Sequence, residues 1–426
     1  MNEVDGPVRL AHDGSDGCRE LEWTTPMGPS SILFLNLDKI PTRIFGIAGG
    51  EPSDDHAVMV RVRRMAETQP ALLQQFPVLG DRAWLVAELR RVIHANGIRT
   101  LAVYQDVERV GRGRGPRKHS DARKAVWQLL METDGQLGST RRMMAAADLL
   151  ARGGKPARRF SHVFVDEFQD LTSADARILA SLVPDANRLF FAGDAAQAML
   201  LGATFDAPGS LHGSATPRRN RRRATSVLTH SYRMTHHIAA AVRPVATRLR
   251  DALPPGRTEW VGIPRGTRSG VIGVRPIVVA SSPALQDDLA EIRRRYLPLF
   301  AAADPVTLAD ANRDTELQRV ATAAFPDCAV RPGSMAAIKG LERVVVVWST
   351  GDHWSIDEGA LQFVYTVMTR AMSLLIIVVD TSSTDPTIVE ALSVLDPETL
   401  LFWNSRARDA FETLVGGRAD RDAGHD

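Results

Sequence analysis

Cysteine is scarce in this chain of 426 residues, which contains only Cys18 and Cys328. Two cysteines so far apart in sequence support neither a disulfide framework nor a thiolate metal site. The adjacent pair His236-His237 has no partner at metal-ligand spacing, so we interpret it as helix surface. The sequence therefore favours neither a disulfide-stabilised fold nor a metal centre built from cysteine and histidine.

Long hydrophobic runs are also missing. No window approaches the roughly twenty apolar residues that span a bilayer. The longest runs, Val344–Trp348 and Leu374–Val379, have the length of β-strands. The first residues, Met1–Gly6, show neither the basic start nor the apolar stretch of a secretory signal. These absences predict a cytoplasmic protein that does not insert into a membrane.

Charge is balanced over the chain as a whole, with a formal net charge of +2. This value alone does not indicate a nucleic-acid partner, but positive charge is concentrated in two places. One is the stretch 112–124, and the other is the run Arg218, Arg219, Asn220, Arg221, Arg222 and Arg223. Such clusters can bind phosphate backbones through counterion release, or they can be solvated loops. We take the arginines of the second run as nucleic-acid-binding candidates.

Short apolar strands alternate with amphipathic helices along the chain, which predicts an α/β fold with parallel sheets of the doubly wound kind. The length is sufficient for two domains. The predicted strands are Arg43–Ile47, His162–Val165, Arg188–Ala192, Pro276–Val279, Arg343–Trp348 and Leu374–Val379. The predicted helices are Asp54–Glu67, Ala83–Ala95, Ala122–Met131, Arg141–Ala151, Ser173–Leu182, His236–Arg248, Pro283–Arg295, Arg313–Ala324 and Gly359–Arg370. Ligands are expected at the carboxyl ends of the strands.

The segment Phe164–Asp170 is an apolar strand that ends in polar residues, three of them acidic. A strand that brings adjacent carboxylates to its carboxyl end can hold magnesium and activate water beside a triphosphate. The alternative is a buried strand followed by an acidic helix N-terminus, which the helix macrodipole favours.

Four segments downstream of Val165–Asp170 add to this pattern, in the order Ala192–Gln197, Ser231–Arg233, Ile338–Glu342 and Tyr365–Ala371. Together the five segments resemble the ordered motor motifs of the UvrD/Rep/PcrA-like superfamily 1 DNA helicases. The resemblance extends over roughly residues 30 to 380. It implies two RecA-like domains of the P-loop-NTPase type with parallel sheets, the first carrying an inserted helical subdomain.

A domain boundary is predicted in the Gly- and Arg-rich stretch 207–224, because turn residues and like charges are concentrated there without apolar periodicity. Residues 1–30 are predicted to be an N-terminal extension, and residues 31–225 the first RecA-like domain, with the helical insertion at about 80–153. Residues 226–400 are predicted to be the second RecA-like domain. A C-terminal helix and a disordered tail are expected over 401–426.

The resemblance also implies roles for single residues in ATP hydrolysis. Asp166 would bind magnesium, and Glu167 would position and deprotonate the attacking water. Gln197 would sense the γ-phosphate, although it could instead be a loop amide that caps its own turn. Arg233 and Arg370 would reach the γ-phosphate and neutralise charge that develops in phosphoryl transfer.

Three further residues are implied to bind nucleotide. Tyr232 would stack on the adenine, although a tyrosine beside an arginine can equally be a half-buried core ring. Lys339 and Glu342 lie in a loop that would connect the nucleotide state to the grip on DNA, with Glu342 near the ribose. The ligands implied are ATP, magnesium and DNA that is single-stranded or has a single-stranded tail.

The sequence departs from the family between Gly46 and Ser53, where a phosphate-binding loop of the form G-x-x-x-x-G-K-[ST] is expected after the predicted strand Arg43–Ile47. Gly46 and Ser53 fit this form, and Gly49 and Gly50 lie inside it. Ser53 would be a second magnesium ligand. The second glycine of the form is replaced by Glu51, and the lysine by Pro52. This is an eroded P-loop, unless the glycine-rich turn was never a phosphate loop.

The two replacements have a direct physical consequence. Pro52 supplies neither an N–H group nor a charge to a phosphate, and Glu51 adds a negative carboxylate. Two like charges about 4 Å apart repel by roughly 4 kcal/mol at an effective dielectric constant near 20. The sequence thus predicts a pseudo-helicase or regulatory subunit with weak or no autonomous ATPase activity. The alternatives are an active ATP-dependent DNA helicase and a composite motor whose protein partner completes the ATP site.

Overall fold

The computed structural model describes residues 9–14, 18–25, 28–47, 53–107, 116–132, 138–197, 228, 230–231, 233–252, 266–267, 273–299, 306–309, 315–333, 343–351, 360–382 and 384–416. Contacts divide the chain into two compact units. Of the described residues, those up to Ala192 belong to the first unit and those from Gly193 onward belong to the second. The predicted boundary near residue 225 lies outside the described ranges and stays a prediction.

The first unit opens with an antiparallel sheet of three strands in the order β1-β2-β3. The strands are β1 (Arg9–Gly14), β2 (Cys18–Thr25) and β3 (Gly28–Leu35). Successive side chains of β3 alternate between the two faces, so Leu33 packs against the core while Phe34 is exposed. The sequence predicted only an extension over most of this segment, without strands.

Eight α-helices are described in the first unit. They are α1 (Ile40–Phe45), α2 (Asp54–Thr68), α3 (Pro70–Gln75), α4 (Arg82–Glu88), α5 (Leu101–Asp106), α6 (Asp121–Trp127), α7 (Ser139–Ala151) and α8 (Ser173–Ser181). Two π-helical turns, Leu89–His94 and Gln128–Glu132, continue α4 and α6. The helices predicted between 80 and 153 are thereby confirmed, while their role as an inserted subdomain stays a prediction.

The predicted strand Arg43–Ile47 is wrong, because most of this segment belongs to helix α1. Pro41 lies in the first turn, where its fixed φ suits a helix start and its missing N–H is not needed. Ile40 and Ile44 are four residues apart and are buried on the same side. Gly46 ends the helix at a φ of +65°, and its N–H donates to the carbonyl of Pro41.

Two hydrophobic clusters form the interior of the first unit. One joins α1, α7 and α8 to a parallel pair of strands, β4 (Val163–Val165) and β5 (Leu189–Phe191). The other is helical and contains Val58 and Met65 of α2 packed with residues of α4 and α6. Helix α2 therefore contributes its buried side chains to the helical cluster rather than to the β4–β5 sheet.

The second unit contains an all-parallel sheet of six strands in the order β10-β9-β11-β12-β8-β13. These strands are β8 (Ile277–Ala280), β9 (Val306–Ala309), β10 (Val330–Gly333), β11 (Arg343–Ser349), β12 (Ala371–Val379) and β13 (Leu401–Phe402). A short parallel pair, β6 (His230–Ser231) and β7 (Gly266–Thr267), is separate from this sheet.

Helices cover both faces of the six-stranded sheet. They are α9 (His236–Asp251), α10 (Leu285–Tyr296), α11 (Thr315–Ala324), α12 (Ala360–Arg370), α13 (Pro386–Leu392) and α14 (Ser405–Gly416). Val346 and Trp348 of β11 pack with α9 and α12, whereas Val345 and Val347 pack with α10 and α11. All strand pairs of this sheet are parallel, and helices bury both of its faces, as is usual for parallel sheets. The predicted parallel α/β sheet is therefore confirmed in this unit.

No helix within the described ranges is long and apolar enough to cross a membrane.

Candidate functional site

The acidic segment of the first unit lies at the carboxyl end of β4. The N–H of Ala192 donates to the carbonyl of Val165 over 2.8 Å, and the N–H of Phe168 donates to the carbonyl of Ala192 over 3.0 Å. Glu167 adopts the left-handed conformation with a φ of +51°, which is uncommon for a residue with a side chain. The backbone thus holds Asp166 and Glu167 in a tight turn just beyond the strand, and such strained turns are concentrated at functional sites.

Hydrogen bonds within the segment orient the two carboxylates. Asp166 is exposed, and its Oδ1 accepts from the N–H of Glu167 over 2.9 Å. The Oε2 of Glu167 accepts from the amide nitrogen of Gln169, a side chain that is 2% exposed. Two adjacent carboxylates at a strand end, one of them open to solvent, are suitable oxygen ligands for a hard cation such as magnesium.

Helix α8 follows this segment and is anchored by a buried polar network. Asp175 and Thr172 form a capping box, in which Oδ2 of Asp175 accepts from the N–H and the hydroxyl of Thr172 at 2.9 and 2.8 Å. Oδ1 of Asp175 contacts Nε2 of His94 over 2.8 Å. Burial acts to raise the pKa of Asp175, but the hydrogen bond and charge of His94 and the bonds from Thr172 outweigh it and hold that pKa below its usual value.

The start of helix α2 carries a second buried carboxylate. Asp54 is 7% exposed and accepts from the Ser139 hydroxyl at 3.0 Å, the Thr140 N–H at 2.9 Å and the Thr140 hydroxyl at 2.6 Å. These donors belong to the first turn of α7, where a negative group is favoured. A Cβ atom at Gly138 would lie only 3.0 Å from Cα of Asp54, so the close approach requires glycine.

The residues around α2 do not fit a triphosphate bound in the P-loop manner. Ser53 caps α2, and its hydroxyl oxygen accepts from the N–H of His56 over 3.2 Å. The preceding described element is helix α1 with Gly46 as its C-cap, not a strand of the β4–β5 sheet. Asp54 adds a negative charge to the first turn of α2. Gly49 and Gly50 lie outside the described residues.

Magnesium is a different case, because Asp166 and Glu167 fit its preference for oxygen ligands. A cluster of three or more His, Cys, Asp or Glu residues that could hold a metal ion is not found among the described residues.

In the second unit, two of the motif segments meet through side chains. The hydroxyl of Tyr365 donates to Oδ2 of Asp194 over 2.8 Å, and Nε2 of Gln197 donates to the same oxygen over 3.1 Å. Oε1 of Gln197 accepts from the guanidinium of Arg370, which is 1% exposed. The turn Ala195–Gln197 is therefore fixed against helix α12 by its own polar side chains.

The charges of this cluster change the pKa of Tyr365. Burial raises the pKa of Tyr365 well above its ordinary value, and the charge and hydrogen bond of Asp194 add to that shift. The positive charges of Arg370 and Arg233 act in the opposite direction. Both arginines that the sequence singled out thus lie close enough to Tyr365 to influence its ionisation. The structure brings Gln197 and Arg370 into one hydrogen-bonded cluster with Asp194 and Tyr365, and Arg233 acts on Tyr365 through its charge.

The remaining predicted site residues lie outside the part of the chain that the structure describes. These are Tyr232, Lys339 and Glu342 among the nucleotide-binding candidates, and Arg218, Arg219, Arg221, Arg222 and Arg223 among the nucleic-acid candidates.

Residues 126–200 match the family of the UvrD/REP helicase N-terminal domain. The match begins in α6, includes the acidic segment after β4 and extends past the turn Ala195–Gln197. The match makes this segment of the chain similar to a helicase domain of the UvrD/REP type. The match does not report on the segment between Gly46 and Ser53, which it does not reach.

A solved structure of the C-terminal domain of a possible DNA helicase from Lactobacillus plantarum WCFS1 is also similar, at 17% identity. The similarity covers 41% of this chain and 99% of that one, with a TM-score of 0.27. A similarity at this level carries no argument about function. No curated protein matches the chain.

Three residues of these polar networks, Asp194, Tyr365 and His94, were not assigned roles from the sequence. Asp194 and Tyr365 were inside two of the five motif segments, so their position was indicated but their contact was not. His94 had no such signal, because it lies in a helix more than seventy residues before the acidic segment. Its contact with Asp175 becomes visible only in the folded chain.

Proposed function

We propose that this chain is a UvrD-type, nucleic-acid-associated pseudo-helicase or regulatory subunit with weak or no autonomous ATPase activity. The observation that carries the proposal is a contrast within the first unit. The acidic segment Asp166–Asp170 falls within the UvrD-type match and follows strand β4. The expected phosphate loop is preceded by helix α1 and contains Glu51 and Pro52.

The loss of phosphate binding is argued from charge and from backbone donors. A P-loop surrounds phosphates with N–H groups and one ammonium group. Here Pro52 has no N–H, Glu51 is negative, and Asp54 in the first turn of α2 is a buried carboxylate. Each of these features opposes a triphosphate at the start of α2. ATP and magnesium are therefore proposed only as the ligands that the family resemblance implies, with ATP bound weakly or not at all.

A composite motor is the second candidate, and the residues for which the family resemblance implies catalytic roles favour it. Glu167 follows strand β4, Arg370 contacts Gln197, and the charge of Arg233 acts on the neighbouring Tyr365. A chain that only served as a scaffold would not need these groups. In the composite case a protein partner would supply the missing positive charge for the phosphates.

Nucleic acid remains the proposed partner under both candidates, with DNA that is single-stranded or carries a single-stranded tail. Support comes from the UvrD-type match and from the arginine run that includes Arg221, Arg222 and Arg223. Such a run would contribute affinity without sequence preference.

The proposal is tested by restoring the loop. The double variant Glu51→Gly, Pro52→Lys is expected to bind Mg-ATP at least roughly tenfold more tightly than the natural chain in isothermal titration calorimetry, because one ammonium group is gained and one carboxylate lost. The matched control is Glu51→Gly, Pro52→Ala, which removes the same two residues without adding the lysine. Equal affinity of both variants would contradict the placement of the loop.

A further inference from the structure

A pocket of about 310 Å³ is present in the second unit, beside the edge strand β13. Helix α10 provides Asp288, Glu291, Arg295 and Tyr296 to its wall, and the residues after β13 provide Trp403 and Asn404. None of these residues belongs to the five helicase-like segments. The volume is at the lower end of the range for ligand pockets, so it suits one side chain or a small molecule.

The carboxylate of Asp288 is buried in this wall without a well-formed hydrogen bond. Its side chain is 12% exposed. Its side-chain contacts with described residues are Nδ2 of Asn404 at 3.4 Å from each oxygen and the guanidinium of Arg406 at 3.6 Å. Good N–H donors approach an ionised carboxylate to about 2.7–2.9 Å. A buried carboxylate with only distant donors is costly, so the pocket favours a ligand that brings N–H groups.

Aromatic rings form the other side of the pocket. Tyr296 and Trp403 meet edge to face, with ring centroids 6.4 Å apart. The guanidinium of Arg295 already lies over Tyr296, 5.6 Å from the ring centroid. Trp403 is half-buried. Within the part of the chain that the structure describes, no arginine or lysine lies over its ring. Tryptophan is the side chain that attracts a cation most strongly through its ring face.

The charges of the wall distinguish between cationic and phosphate-bearing ligands. Asp288 and Glu291 provide two carboxylates to the pocket. Two guanidiniums lie beside them: that of Arg295 is engaged with Tyr296, and that of Arg406 stays 3.6 Å from Asp288, beyond the distance of a good hydrogen bond. A phosphate beside two carboxylates would be repelled. A planar guanidinium instead combines donors for a carboxylate with a flat face for an indole ring.

We propose that this pocket binds an arginine side chain of a protein partner, with Asp288 accepting the guanidinium N–H groups and Trp403 stacking on its face. The assignment does not depend on the proposed pseudo-helicase function, because it rests on residues outside the helicase-like segments. It identifies α10 and β13 as a docking surface for a basic peptide.

The test uses the full chain and N-acetyl-L-arginine methylamide as the probe, with the neutral isostere N-acetyl-L-citrulline methylamide and adenosine monophosphate as comparison ligands. Binding is followed through the indole N–H resonance of Trp403, which the variant Trp403→Phe identifies. The arginine probe is expected to shift this resonance with a dissociation constant in the millimolar range. The citrulline probe and adenosine monophosphate are expected not to shift the Trp403 indole resonance.

Variants separate the proposed contacts from general effects of charge. Asp288→Asn is expected to weaken binding of the arginine probe roughly tenfold, since it removes a charge-assisted hydrogen bond. Glu291→Gln changes an exposed side chain, so it keeps the fold intact, and it is expected to weaken binding severalfold. Glu316→Gln on α11 is the control for loss of an exposed carboxylate and is expected to change nothing.

Three results would overturn the proposal. The first is that the arginine probe does not shift the Trp403 indole resonance. The second is that Glu291→Gln responds to the arginine probe as strongly as the natural chain does. The third is a shift by adenosine monophosphate as large as that by arginine, which would assign the pocket to a nucleobase instead.

Discussion

The hydroxyl of Tyr365 donates a hydrogen bond to the carboxylate of Asp194, a residue 171 positions earlier in the chain. Gln197 donates to the same carboxylate oxygen and accepts from Arg370. Two segments that the sequence singled out separately are therefore one polar cluster in the folded second unit. Any ligand that engages Arg370 would have to compete with its contact to Gln197.

Removal of this hydroxyl tests the contribution of the cluster to stability. Tyr365→Phe is expected to lower the free energy of unfolding by about 1–2 kcal/mol, because Asp194 loses a donor in a buried setting. The loss should be smaller at alkaline pH. The raised pKa of Tyr365 means that its neutral form is favoured by folding, so its contribution is complete below the unfolded value of about 10 and is lost as pH rises above it.

Urea unfolding of the natural chain and of Tyr365→Phe across this alkaline range checks the prediction. Tyr296→Phe, in the same unit, is the control for loss of a phenol hydroxyl. An equally steep alkaline loss in Tyr365→Phe would show that another group is responsible.

Acid sensitivity is expected from the network of Asp175, His94 and Thr172. Asp175→Asn should lower the free energy of unfolding by roughly 3 kcal/mol near neutral pH, as for a broken buried pair. The pKa of Asp175 is depressed in the folded chain, so its contribution is present above the unfolded value of about 3.9 and is lost as pH falls through the folded value. The difference between the two proteins should therefore shrink under acid.

Denaturant titrations at neutral pH and at about pH 3 measure this difference. Asp148→Asn, which removes an ion pair of two partly exposed side chains, is the control and should cost at most about 1 kcal/mol. A difference between Asp175→Asn and the natural chain that stays constant with pH would contradict the assignment.

A methyl group at Gly138 tests the packing of Asp54 on helix α7. Gly138→Ala is expected to destabilise the chain by about 1–3 kcal/mol, because the new Cβ collides with the Asp54 side chain and lies 3.0 Å from its Cα. Gly80→Ala is the matched control, since a Cβ there meets no atom within 4 Å. Thermal unfolding of both variants measures the contrast. Equal melting temperatures would mean that Asp54 does not pack against Gly138.

Nucleic-acid binding by the arginine run is tested by one triple variant. Replacing Arg221, Arg222 and Arg223 by alanine is expected to weaken binding to single-stranded DNA and to make it less dependent on salt, because fewer counterions are released. Fluorescence anisotropy over a series of salt concentrations measures both effects. Arg63→Ala, an exposed arginine on α2, is the control for loss of surface charge. Unchanged binding by the triple variant would favour the alternative interpretation, in which the arginine run is a solvated loop that does not contact DNA.

The parallel sheet of the second unit was predictable because its strands are continuous apolar runs such as Val344–Trp348, which are typical of strands buried on both faces. Helix α1 was not predictable in the same way. Its few apolar residues suit a strand or a helix equally well, and Pro41 with Gly46 decides between them through backbone geometry. Strands β1 and β2 were missed because they lie before the region of family resemblance, and β3 (Gly28–Leu35) lies across its start.

Candidate site residues could be predicted to the extent that they are adjacent in sequence. Asp166 and Glu167 were singled out because both follow one apolar segment, which the structure shows as strand β4. The contact between His94 and Asp175 spans 81 positions, and that between Gln197 and Arg370 spans 173. Contacts of this kind depend on tertiary packing, which a single sequence does not reveal.

The central claim is that autonomous ATP hydrolysis is weak or absent, and turnover of Mg-ATP by the purified chain tests it most directly. The measurement is made with and without single-stranded DNA, beside the variant Glu167→Gln. The pseudo-helicase proposal predicts turnover that is at most slightly above that of Glu167→Gln and that DNA does not stimulate. Hydrolysis that DNA stimulates and that Glu167→Gln abolishes would contradict it and would make the chain an active motor.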